Sequence, residues 1–167
     1  MSKYDSDHKV PVLLDGDLQV WDSLAILEYV TTLYPEKTDP KRLAVIRSIC
    51  AEMHSSFIAL RNELPMNCRR KPSKLDISED CLIDVDRIQA LWQYATQYSD
   101  GKRKWLFGSY SMADAMFAPV VLRFSRYKVA LKTESAEYLD HVLNDPAMME
   151  WIEAGCAETL VISEEER

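Results

Sequence analysis

Glycine is scarce in this chain: four in 167 residues, set against many Leu, Ala, Glu and Met, which tilts the whole toward helix. Cysteine is equally sparse. Cys50, Cys68, Cys81 and Cys156 are widely scattered with no Cys-x-x-Cys pair, a spacing that suits neither a zinc site nor a dithiol redox centre and fits free thiols in a reducing cytosol. Positive charge is in deficit, with a net −7, which argues against a nucleic-acid partner. Arg69-Arg70-Lys71 reads as part of a solvated loop, and Lys102-Arg103-Lys104 as part of a surface turn. The amino terminus has no apolar run for a signal peptide, and no later stretch is expected to span a bilayer, so a cytoplasmic location follows by default. No internal repeat or low-complexity tract occurs. What is present is ordinary globular composition, 47% hydrophobic and 28% charged, on a length sufficient for one sizeable core or for a small lobe plus a helical domain.

The chain is organised around Lys9–Glu28. Val10 to Leu14 and Leu18 to Trp21 have strand composition, and Asp15-Gly16 between them is a hairpin signal. Both faces of the first strand are apolar, which predicts a sheet covered on both sides. After Trp21 the period changes to that of a helix from about Ser23 to Leu33, with Asp22 or Ser23 as its cap. No Glu or Gln completes a capping box, so some N–H groups are expected to face a carboxylate or phosphate. Pro11 withdraws a ladder bond; a cis Val10–Pro11 bond would present Val10 as an edge for an extended peptide ligand. An ordinary edge strand and an ordinary cap are the plainer reading, and physics alone favours it.

Glu36 to Pro40 is a charged, proline-bearing connector and marks a domain boundary between residues 1–35 and 40–160. A single helix is expected from Asp39-Pro40 to Leu64, with Leu43, Ile46, Cys50, Met53, Phe57, Leu60 and Leu64 as its stripe and Pro65 as its stop. Met66 to Ser78 reads as a mobile loop. Glu79 to Tyr98 is the next helix, with Leu82, Val85, Ile88, Leu91, Trp92 and Ala95 on one side. Ser111-Met-Ala-Asp114 is a strong helix start, and Ala115 to Tyr127, apolar nearly all round, is the central buried helix. Ser135 to Asn144 and Pro146 to Glu158 supply two shorter helices, and the acidic tail from Ser163 is expected to fray.

Val-Pro-Val-Leu, the short Asp-Gly turn and Asp-Ser-Leu-Ala-Ile-Leu-Glu-Tyr resemble the second half of a glutathione transferase thioredoxin-like domain. The Ser-x-x-Asp box opening a buried helix is similar to one in the helical domain of that family. Ala51-Glu-Met-His-Ser-Ser-Phe and Glu63-Leu-Pro-Met-Asn look most like an uncharacterised bacterial branch. The resemblance covers Lys9 to about Glu158. It implies a mostly α protein: a β-hairpin plus helix, as a remnant of a thioredoxin-like α/β domain, followed by an all-α bundle. Glutathione is the implied co-substrate. Val10, before a cis Pro11, would bond its cysteinyl part, Asp22 and Ser23 would hold the γ-glutamyl end, and Lys9 would stand near the glycyl carboxylate. His54, Phe57 and Arg61, with Met66, fall near the pocket for the electrophile, although each taken singly reads as a surface or core residue. The family also implies a homodimer.

A complete lobe of that family begins with a strand, a helix and a second strand, and its catalytic Ser, Tyr or Cys lies there. Only nine residues precede Val10, and a βαβ unit needs about thirty. Ser2, Tyr4 and Ser6 have suitable side chains but no element to carry them, so no catalytic residue is assigned. The chain is expected to be a natural truncation or an incomplete reading frame. Glu52 and His54 lie on different helix faces, and no metal site is expected. Three functions follow: a glutathione-transferase-like enzyme whose thiolate attacks small electrophiles, a non-catalytic helical interaction module of the same fold, or a fragment without independent function.

Overall fold

Residues 9–34, 38–99, 101 and 104–162 are described by the structure, a computed structural model. Strands β1 (Val12–Asp15) and β2 (Leu18–Trp21) form an antiparallel hairpin in the register Val12↔Trp21, Leu13↔Val20, Leu14↔Gln19 and Asp15↔Leu18. Asp15 belongs to the ladder, so the two-residue turn is Gly16-Asp17 rather than Asp15-Gly16. Gly16 has φ +57°, which a two-residue hairpin turn of this kind requires. The expected burial of both faces does not occur. Leu14, Leu18 and Trp21 are all exposed, because among the described residues the sheet has only these two strands. Apolar composition reported what the strands could bury, not what covers them.

Helix α1 (Ser23–Leu33) follows directly. Asp22 caps it, with Oδ1 accepting from the N–H groups of Leu24 at 2.9 Å and Ala25 at 3.5 Å. The Tyr29 hydroxyl donates to Asp15 Oδ2 at 2.6 Å and ties the helix to the hairpin. Part of the Glu36–Pro40 connector falls outside the described residues, as do Ser2, Tyr4, Ser6 and the tail from Ser163.

The expected long helix is two. Helix α2 (Pro40–Ser55) stops, Phe57 takes a left-handed conformation (φ 66°), and α3 (Ile58–Glu63) begins. Arg61 donates to the carbonyls of Met53 (2.6 Å) and Ser56 (3.1 Å), freed where α2 ends. Asp84 Oδ2, from the next helix, accepts the Leu60 N–H at 3.0 Å. The break is therefore held from outside the segment. Its apolar stripe survives, since Met53, Phe57, Leu60 and Leu64 are all buried.

Helix α4 (Glu79–Thr96) is capped by Ser78, whose Oγ accepts from Cys81 N, and Glu63 in turn accepts from the Ser78 N–H and hydroxyl. Its buried face carries Cys81, Val85, Ile88, Leu91, Trp92 and Ala95; Leu82, expected there, is exposed. The segment 64–78 is irregular but tethered, contrary to the mobile loop expected. Arg70 donates to the Arg126 carbonyl (2.8 Å) at the end of α5 (Met112–Arg126) and stacks over the Tyr127 ring at 3.9 Å. Arg69 donates to the Glu158 carbonyl at 2.7 Å. Two cations expected in solvent thus close helix ends.

Helix α5 is the centre of the molecule, with Phe117, Val120, Val121, Leu122 and Phe124 fully enclosed. Asp114 at its start is 1% exposed, and its carboxylate accepts from Leu106 N, Ser111 N, Ser111 Oγ and the Tyr138 hydroxyl, all at 2.9–3.1 Å. Burial nonetheless holds its pKa above the ordinary carboxylate value. Helices α6 (Thr133–Leu143) and α7 (Pro146–Ala157) complete the bundle. Trp92 joins α4, α5 and α6 by ring contacts with Phe117 (5.8 Å), Phe124 (5.6 Å) and Tyr138 (4.8 Å).

Candidate functional site

A cleft of about 570 Å³ opens between the hairpin–α1 unit on one side and α2, α3 and α5 on the other. Its apolar lining comes from Pro11, Val12 and Leu13 of the hairpin, Ile26 and Leu27 of α1, Met53 of α2, and Met116 and Pro119 of α5. Ser23, His54, Arg61 and Arg123 are its polar members. The strand reaches the cleft through the Val10–Pro11 peptide, which is cis.

Asp22 is used twice. One carboxylate oxygen caps α1, and Oδ2 lies 3.1 Å from His54 Nε2 on α2. Together with the bidentate Glu28–Arg47 pair (2.9 and 2.7 Å), this contact ties the start and middle of α1 to α2 and keeps the cleft walls in register. The negative charge of Asp22 is therefore already engaged on both oxygens. Ser23, one residue on, is the member of the Asp-Ser pair that lines the cleft.

The residues singled out in the sequence divide into three groups. Pro11, Ser23, His54 and Arg61 line the cleft, and Asp22 stands behind His54. Lys9 and Val10 are exposed at its edge and outside its lining, Val10 at 86% exposure. Phe57 is buried at the α2–α3 break, and Met66 packs against the core; neither lines the cleft. Sequence reasoning missed Arg123. It stands in the last turn of α5, donates through Nε to the Leu64 carbonyl at 2.7 Å, and lines the cleft beside Arg61. An arginine set among Val120, Val121, Leu122 and Phe124 was the available signal.

The guanidinium groups of Arg61 and Arg123 bring positive charge to a mostly apolar lining, which favours an anionic ligand with an apolar portion. The buried thiols take no part: burial pushes Cys50 up to about 12 and Cys81 up to about 11, so both stay protonated at neutral pH. Among the described residues, no group of three or more His, Cys, Asp or Glu side chains could hold a metal ion. None of the described helices is long and apolar enough to cross a membrane.

Residues 2–32 match the family model for the glutathione S-transferase N-terminal domain. A glutathione S-transferase from Hyoscyamus muticus is 28% identical over 124 residues, covering 68% of this chain and 57% of the relative. The chain thus spans a little over half the length of that relative. A crystal structure of a glutathione transferase homolog from Burkholderia gl BGR1, with bound glutathione, superposes with a TM-score of 0.55 over 90% of this chain and 75% of that one, at 19% identity. That likeness concerns the fold alone: a small sheet with its helix, set against a helical bundle. With the family model lying on the hairpin and α1, the related sequence running on beyond them, and the fold shared across the bundle, the chain is similar to glutathione S-transferases along most of its length.

Proposed function

We propose that the cleft between the hairpin–α1 unit and the helical bundle binds glutathione and presents its thiol to a small electrophile. The observation that carries this reading is the meeting of Pro11 and Ser23 with His54, Arg61 and Arg123 around one cavity. Val10 would pair with the cysteinyl backbone, Asp22 and Ser23 would hold the γ-glutamyl end, and Lys9 would attract the glycyl carboxylate. His54 and Arg61 fall on the electrophile side, where the guanidinium charge of Arg61 would favour the glutathione thiolate. Phe57 supports that wall from the core. The domain division at residues 35–40, a cytoplasmic location and a homodimer belong to the same reading; light scattering of the purified chain tests the last.

A second reading, a non-catalytic module of the same fold, draws on a different observation. Ser23 is the hydroxyl-bearing residue among the described lining residues, which include no thiol or phenol to activate glutathione. Calorimetry with glutathione tests the cleft, and turnover separates the two readings. The exposed edge at Val10 leaves much of the ligand in water, so a dissociation constant of about 1 mM or weaker is expected, abolished by Ser23→Ala. Binding that Ser23→Ala leaves intact would remove the cleft from the proposal. Turnover of an aromatic electrophile would exclude the non-catalytic module.

A further inference from the structure

Cys68 and Cys156, 88 residues apart, meet where the tethered segment 64–78 crosses the end of α7. The Cys156 thiol donates to the Cys68 carbonyl at 3.4 Å. The Cys68 sulfur lies over Gly155, so close that a Cβ there would stand 2.6 Å from it and would have to push the sulfur aside. Each sulfur therefore rests on the backbone beside the other. Their surroundings differ: Cys156 is exposed and Cys68 is buried. That is the asymmetry of an attacking thiol, open to reagents, and a resolving thiol shielded behind it.

We propose that Cys68 and Cys156 form a modification site, a thiol pair that a low-molecular-weight disulfide such as oxidised glutathione converts into an intramolecular disulfide. In the first step the Cys156 thiolate attacks one sulfur of the reagent, the reagent's S–S bond breaks, and one glutathione leaves and takes up a proton. In the second step the Cys68 thiolate attacks the Cys156 sulfur of the mixed disulfide, and the second glutathione leaves and is protonated. Two protein thiols are oxidised, one reagent disulfide is reduced, and the two thiol protons end on the two released glutathiones. Disulfides demand Cα separations of about 4.4–6.8 Å. The Arg69–Glu158 hydrogen bond already holds the two segments together, and the adjustment falls on the end of α7, which stops at Ala157, one residue past Cys156. Cys50 and Cys81 stand apart from this chemistry, fully enclosed in the core. The site lies outside the cleft and does not depend on the cleft binding anything.

The test is a time course of the full chain with oxidised glutathione at about pH 8, where exposed thiols are partly ionised. Samples are quenched with N-ethylmaleimide and read by intact mass and peptide mapping. The expected sequence is a glutathionyl adduct on Cys156 that rises and then decays into a chain two hydrogens lighter than the reduced protein, with peptides linked through Cys68 and Cys156. Cys68→Ser should stop at the adduct, and Cys156→Ser should leave Cys68 unmodified. A persistent adduct on native Cys156 with no linked peptide, or linkage through Cys50 or Cys81, overturns the proposal. Should Cys68→Ser fail to fold, the native time course decides alone.

Discussion

The hairpin–α1 unit and the α4–α5–α6 core are built by different means. Helix α1 has no fully buried residue and is held by polar tethers: Asp22 to His54, Glu28 to Arg47, Tyr29 to Asp15. Helix α5 has nine buried residues, and its neighbours enclose Trp92, Phe117, Phe124 and Tyr138 as one aromatic cluster. Apolar burial is non-directional and large, and exposed ion pairs are directional and small. The bundle is therefore the more enclosed body, and the hairpin–α1 unit is the part held with the least apolar burial. The cleft lies along the seam between them.

The sharpest attack on that contrast is Trp92→Ala. Deleting a buried indole that touches three other rings should cost about 4 kcal/mol and lower the denaturant midpoint for the whole chain. A small loss would mean that the aromatic cluster is not the stabilising centre. Asp114→Ala comes next. It strips partners from Leu106 N, Ser111 N and the Tyr138 hydroxyl inside the bundle, and about 2–3 kcal/mol should be lost, more than for the exposed cap at Asp22. Equal midpoints for Asp114→Ala and the native chain would remove the buried carboxylate from the account.

How much of this can be read without coordinates follows from how local each feature is. Helix starts at Ser23, Glu79, Met112 and Pro146 are legible because a cap is decided within a few residues, as at Asp22, Ser78, Ser111 and Asp145. The break at Phe57 is not, since Arg61 and Asp84 hold it and the apolar stripe runs through it unchanged. Arg69 and Arg70 read as solvated because composition does not reveal that helix ends lie within their reach. In the cleft, Pro11 and Ser23 belong to a recognisable motif. The Asp22–His54 contact and the approach of Arg123 exist only once α1, α2 and α5 have packed.

A smaller effect tests the core through pH. Burial, then the charges of Glu28 and Asp114, raise Cys50 from 9.0 to about 12. A raised thiol pKa in the folded state means that the associated stability is complete below the unfolded value near 9.0 and is lost as pH climbs toward 12. Between about pH 8 and 10 this one thiol should account for about 1 kcal/mol of lost stability. Cys50→Ala lowers stability at neutral pH through its cavity but should flatten the decline above pH 9. Parallel curves for the two proteins in urea titrations at several pH values would show that the thiol does not couple ionisation to folding.

The smallest global effect should come from Glu28→Gln, and it bears most directly on the contrast between the two regions. The substitution keeps size and removes the charge that Arg47 grips with two hydrogen bonds. Both partners are substantially solvated, at 52% and 32% side-chain exposure, so the global midpoint should hardly move. Helix α1 has no enclosed apolar side chain to hold it once that tether weakens, and its amides should exchange faster while those of α5 keep their protection. Loss of protection in both helices together would mean that the hairpin–α1 unit and the bundle open as one cooperative body. Unchanged exchange in α1 would mean that Asp22–His54 and the packing of Leu24 and Leu27 on the core suffice without the ion pair.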